Sequence, residues 1–244
     1  MNRKRQLIIL SLISCLSLLY SNDIQKISQD YVQIVNLWIN AEDSYGITLQ
    51  KVADIDRTLD QLPDSLDKFY WKSRTALLRG QIWFFQEEKK KSIRELEKSQ
   101  ELAKISLDYE NYSEGWRLIS DAGSFIMLQK GVGYIISHSS DVQKQAEKAL
   151  ELDSTNARAA LIVAQGLMNA PRLFGGNKEK GIEMLIDLSR SDNLSDEDRY
   201  FILSALGDAF VAIGRTDDAI RNYRMMLSLY PGSTFIQGKL ENLQ

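Results

Sequence analysis

Residues 200–233 place a few side chains at intervals that few folds tolerate. Leu203, the pair Leu206-Gly207 and Phe210 follow one another at helical spacing, Gly214 comes next, and Ala219, Tyr223 and Pro231 mark a second run. The spacing predicts two antiparallel helices joined at Gly214. Gly207 falls where the helices come closest, with Ala219 facing it, because a side chain there would push them apart. Phe210 and Tyr223 fill the wedge between them. Gly214 supplies the positive φ that ends the first helix. Asp217 lies in the first turn of the second, where the helix dipole favours an anion. Pro231 cannot continue a helix interior and marks its end.

This string resembles the tetratricopeptide repeat (TPR) pattern W-x₂-L-G-x₂-Y…A-x₃-F…P, with Leu203 in the Trp place and Phe and Tyr exchanged. The resemblance implies an all-α fold, an α-solenoid of antiparallel TPR-like helix pairs that acts by presenting a surface. The same grammar recurs upstream. Residues 73–106 carry Ala76, Gly80 and Trp83, then Ser92, Leu96 and Ser99. Residues 111–154 carry Trp116, Ile119, Ser120 and Gly123, then a second helix over 142–152 that ends in AEKALELDSTN. Between these two helices, residues 131–140 read as an insertion. Residues 156–193 form the next pair, and with 200–233 the clearest one. Helical patterns over 23–41 and 49–62 precede the repeats, and 233–243 reads as the terminal cap that a solenoid end requires. The total is about eleven helices in one continuous domain, 23–244.

The N-terminus reads as a targeting segment. Arg3, Lys4 and Arg5 precede an apolar run over 7–19, which falls short of the roughly 20 residues a membrane span needs. Within it, Leu12-Ile13-Ser14-Cys15 resembles the lipobox of bacterial lipoproteins, and Cys15 is the single cysteine. Residues 1–22 are therefore expected to be a lipoprotein signal with lipidation at Cys15, giving a periplasm-facing envelope protein on a lipid anchor. A plain signal peptide, cleaved near Ser21 to release a soluble periplasmic or secreted protein, is the alternative. Loss of residues 1–14 removes three cations and leaves 27 basic residues against 33 acidic ones. Such a balance excludes a nucleic-acid partner, whose binding needs clustered cations. The run Lys89-Lys90-Lys91 follows Glu87-Glu88 and reads as a solvated helix start.

The segment NAPRLFGGNKEKGIEML, residues 169–185, resembles a loop inserted in a branch of exported bacterial TPR proteins. In overall plan the chain is similar to the periplasmic TPR lipoproteins associated with tripartite (TRAP) transporters. That likeness implies work beside a solute-binding protein and leaves homo-oligomerisation open. Pro171 stops one helix and Asn177 caps the next. Leu173 and Phe174 are expected to fold back over the helix pair as a lid on the core.

The chain presents no catalytic constellation, no cofactor fingerprint and no metal-ligand cluster. His138, the single histidine, is expected in an exposed polar connector. By TPR register the concave face takes Arg74, Gln81, Phe84 and Phe85, then Arg117, Asp121 and Phe125, then Met168, then Phe201 and Asp208. Such a groove suits a peptide or an amphipathic helix. The aromatic members fit equally well as core between repeats, shifted by one position of register. The functional expectation is a non-enzymatic adaptor with a protein or peptide partner. The alternative is a transport accessory that binds a small apolar ligand or a solute-binding protein.

Overall fold

The computed structural model describes the backbone of residues 3–40 and 45–243, with side chains from residue 20 onward. Eleven α-helices occur among the described residues. They are α1 (Arg3–Asn40), α2 (Tyr45–Gln61), α3 (Leu66–Phe85), α4 (Lys89–Tyr109), α5 (Ser113–Lys130) and α6 (Val132–Leu152). α7 (Ala157–Asn169), α8 (Lys178–Ser189), α9 (Asp196–Ala212), α10 (Thr216–Leu229) and α11 (Thr234–Glu241) complete the chain. Cys15 lies outside the described side chains.

Local chemistry sets the boundaries. Ser65, Asn156, Asn177, Ser195 and Ser233 each accept an amide hydrogen bond three residues on, capping α3, α7, α8, α9 and α11. Gly214 has φ 75° and ends α9 as expected. A β-carbon on Gly207 would come within 2.7 Å of the Tyr223 ring and 2.9 Å of the Asn222 amide. Tyr223 and Asn222 are thus the nearest neighbours of Gly207 across the pair. Small hydroxyl residues sit between paired helices. Ser92 donates to the Gly80 carbonyl at 2.8 Å, Ser113 to Ala149 at 2.8 Å and Ser120 to Val142 at 2.7 Å.

One expected insertion is absent. Residues 132–141 are the first turns of α6, joined to α5 through Gly131 alone at φ 86°. With no proline to break it, that stretch prolongs the helix to 21 residues. His138 accordingly lies on α6 and not in a connector. Its ring stacks on Tyr134, with centroids 3.7 Å apart.

The superhelix closes on itself, with α1 inside it. The largest apolar cluster joins Ile27, Tyr31, Ile34, Val35 and Trp38 of α1 to residues of α2 and α3 and to α9, α10 and α11. Leu77, Leu96, Leu118 and Ile126 form a second core between α3, α4 and α5. Trp38 stands between Phe85 of α3 and Phe201 of α9, at 5.7 and 6.2 Å between centroids. Phe85 meets Phe235 of α11 at 5.1 Å. The concave surface that open TPR arrays leave to a partner is here covered by the chain's own first helix.

Candidate interaction site

Between α1 and the starts of the odd-numbered helices lies a cavity of about 430 Å³. Tyr31 and Asn36 of α1 form one wall. Tyr70, Trp71 and Arg74 of α3, Glu114 and Arg117 of α5, and Arg158 of α7 form the floor. The turn before α7 and the first turn of α9 supply the mouth, with Asp153, Asp196, Glu197 and Asp198.

The floor is a continuous ion-pair network. Arg74 donates to Glu197 and to the Tyr70 hydroxyl, and its guanidinium lies 4.5 Å from the Tyr31 ring centroid. Arg117 is held by Glu114 and Asp121 on its own helix. Arg158 donates two hydrogen bonds to Asp121, at 2.9 and 3.3 Å, and stacks 3.6 Å over Phe201. The nitrogens of Arg74 and Arg158 that lack a hydrogen-bonding oxygen belong to guanidinium groups lying over aromatic rings, a favourable place for a cation. Glu114 also accepts from Asn156 at 2.8 Å. Burial works to raise its pKa, but the charge and hydrogen bonds of Arg117, aided by Arg74 and Asn156, bring it down to about 2. Burial pushes the Tyr31 phenol well above its usual range.

The three arginines are thus matched by Glu114, Asp121 and Glu197, so the floor is close to neutral. The mouth is not. Asp153 and Asp196 are exposed, and Asp198 is half-buried beside them. This acidity extends along the rim. The stretches 60–67, 108–114, 151–155 and 192–198 form the α2–α3, α4–α5, α6–α7 and α8–α9 turns and their flanks. They contain Asp60, Asp64, Asp67, Asp108, Glu110, Glu114, Glu151, Asp153, Asp192, Asp196, Glu197 and Asp198 and no Lys or Arg.

The residues expected on the concave face divide accordingly. Arg74 and Arg117 line the cavity. Asp121 is buried as a bridge between two arginines instead of lining a groove. Phe84, Phe85, Phe125 and Phe201 are half-buried and pack edge-on against one another, with Phe85, Phe125 and Phe201 lying against the apolar clusters. Gln81 is fully buried, and neither of its amide atoms has a hydrogen-bond partner. Met168 packs beneath Gly181, and Asp208 pairs with Lys239 and Tyr223 outside the cavity. Glu114, Arg158 and Glu197 were missed. An Arg recurring early in three first helices was the available signal for Arg158. The lid reading of the 171–176 loop is overturned. Leu173 and Phe174 are 89% and 77% exposed on a 3₁₀ turn (Arg172–Phe174). Pro171 and the left-handed Gly175 hold that turn away from the helix pair. Among the described residues no acid, His or Cys cluster could hold a metal ion, and no helix is long and apolar enough to cross a membrane.

Neither protein-family models nor curated proteins give a match to this sequence. Solved structures do. The fold is similar to TTC0263, a thermophilic TPR protein of Thermus thermophilus, with TM-score 0.61 and 17% identity over 91% of this chain and 97% of that one. It is also similar to the HusA haemophore of Porphyromonas gingivalis, with TM-score 0.51 and 18% identity over 73% of this chain and 94% of that one. At such identity the likeness speaks to architecture, and the architecture is TPR-like.

Proposed function

On a TPR-like scaffold whose groove is filled from within, we propose a non-enzymatic interaction protein of the bacterial cell envelope. It is exported, held by an acylated Cys15, and takes a basic segment of a partner protein at its acid-rimmed cavity. The observation that carries this reading is the unmatched charge of Asp153, Asp196 and Asp198 around a floor that is already neutral. A Lys or Arg side chain entering there meets carboxylates at the mouth. The helix pairs hold that rim rigid, as a recognition surface requires.

A direct test is fluorescence anisotropy with a labelled Lys/Ala-alternating dodecapeptide and its Glu/Ala counterpart. The basic peptide should bind, weaken steeply with salt, and lose about tenfold in affinity with Asp153→Asn plus Asp196→Asn, which is about 1.4 kcal/mol. Equal binding of the acidic peptide, or indifference to the double variant, would sink the proposal.

A second reading is an accessory role in TRAP-type solute transport. The cavity volume lies in the range of small-molecule sites, and one structural neighbour is a haemophore. The charged lining favours a solute bearing a cationic group over the apolar ligand expected from sequence. Native mass spectrometry of purified protein would recover such a molecule.

A further inference from the structure

The opposite ends of α5 to α8 have another character. Leu128, Val132 and Ile136 are 68%, 72% and 75% exposed, and Leu173 and Phe174 of the α7–α8 connection are exposed too. Single exposed apolar residues are ordinary, but several large ones gathered together are not. They are gathered by the topology. Gly166 of α7 packs against Gln143 of α6. Continuing that antiparallel register carries residues 136–140 of α6 alongside Asn169 and the 171–176 loop. α6 has 21 residues and α7 has 13, so the first turns of α6 overhang the end of its neighbour. The 3₁₀ turn of the α7–α8 connection lies at this same end of the helix pairs. The α5–α6 and α7–α8 connections lie at the same end of the helix pairs, so the five side chains project from that end as an apolar tip, and neither described cavity includes any of them.

The sequence around this tip, unlike the acidic rim, is richer in Lys and Arg than in acid. Residues 122–140 and 154–178 contain no Asp or Glu. Lys130, Arg172 and Lys178 flank the apolar side chains, with Glu97 beside Lys130 and Glu179 near Arg172. The whole chain, by contrast, carries a net −3. A protein partner for such a surface would need a rigid groove cut to fit this convex end. A bilayer interface moulds to them, accepts Leu, Ile, Val and Phe into its acyl boundary, and receives the cations at its headgroups.

We propose that this tip docks on a phospholipid surface, preferentially an anionic one. The acidic rim at the far end of α5 and α7 is repelled by the same surface, so the molecule meets it end-on. Tyr20 bonds to Ser65 at 2.6 Å in the α2–α3 turn, so α1 enters the body at the acidic rim. The tip and an acylated Cys15 would therefore face different surfaces, and docking by the tip does not depend on the acyl anchor.

The test uses the full chain in a Cys15→Ser background, which leaves no native thiol. Phe174→Cys, Ile136→Cys and, as a control at the other end of α6, Leu152→Cys are each labelled with a polarity-sensitive fluorophore. Vesicles are phosphatidylcholine alone or phosphatidylcholine with phosphatidylglycerol at about 7:3. The labels at 174 and 136 should shift to the blue with vesicles, more with the anionic mixture, and the label at 152 should not. Adding Leu173→Ser and Val132→Ser to the Phe174→Cys protein should weaken partitioning about tenfold, with circular dichroism unchanged. Three results would overturn the proposal. The first is protein that sediments with vesicles while the 174 label stays unshifted, which assigns binding to the N-terminal segment. The second is an equal shift of all three labels. The third is a shift of the 174 label without lipid as protein concentration rises, which assigns the tip to a second copy of the chain.

Discussion

Arg74 on α3 and Glu197 on α9 form an ion pair across 123 residues of sequence, beside α1. Breaking a buried pair by removing one partner costs about 3–5 kcal/mol. These side chains are 17% and 11% exposed, so Glu197→Gln is expected to lower stability by about 2–3 kcal/mol. Replacing both, as Arg74→Met with Glu197→Leu, should restore most of it, because no uncompensated charge then remains. Urea denaturation midpoints decide the matter, and a double variant no better than the single one would show that the pair does more than cancel charge.

Gly207→Leu should destabilise the chain by about 1–3 kcal/mol through overpacking against Tyr223 and Asn222. It touches no residue of the cavity. A melting temperature equal to that of the wild type would mean that α9 and α10 are free to separate there.

Gln81 offers a change in the other direction. A buried amide without partners carries a desolvation cost of about 1–3 kcal/mol. Gln81→Met keeps the length of the side chain and removes the polar atoms, so the urea midpoint should rise. A lower midpoint would show that the amide is satisfied by buried water.

Glu114 makes stability depend on pH. Its carboxyl is brought to about 2 in the folded protein by Arg117, against the effect of burial, while an unperturbed glutamate titrates near 4.3. A carboxyl lowered by folding adds stability above its unfolded value and loses it as pH falls through its folded one. Stability should therefore decline from about pH 5 to pH 2. In Glu114→Gln that decline should be shallower, with a lower plateau at neutral pH. Parallel curves for the two proteins would remove Glu114 from the account. Its side chain is 35% exposed, so solvent screening moderates the effect.

Cys15→Ala tests the anchor. Acyl chains contribute about 0.8 kcal/mol per buried CH₂, so several hold firmly and none holds at all. The variant should move from the membrane to a soluble envelope fraction and retain its helical circular dichroism. Two soluble forms would favour a cleaved signal peptide. Two membrane-bound forms would point to another attachment.

The repeat pattern was legible because each helix pair answers to local constraints. Gly207, Gly214 and Tyr223 each do a job defined within residues 200–233, and a pattern of fixed spacing reports such jobs directly. The closure was not legible. Whether Phe85 and Phe201 line an open groove or meet Trp38 depends on superhelical curvature, which sums small rotations over several repeats. The cavity floor was half legible for the same reason. Arg74 and Arg117 follow from register within one repeat, whereas Arg158 and Glu197 join them only once the turns of the superhelix are stacked. Leu173 and Phe174 were misjudged because an apolar pair in a loop usually packs. Here the turn between Pro171 and the left-handed Gly175 leaves both side chains in solvent.

An open solenoid grows from any repeat and adds neighbours one at a time. This one cannot finish that way. α1 leaves the ribosome first, but its contacts on α9 and α11 are made by residues such as Phe201 and by the turn at Gly232, whose backbone lies against Asn40. The apolar face of α1 must wait, uncovered, for nearly the whole chain to be synthesised. Contacts of such long range slow folding. On the export route proposed above, that delay would keep the N-terminal helix available to the export machinery until translocation is under way.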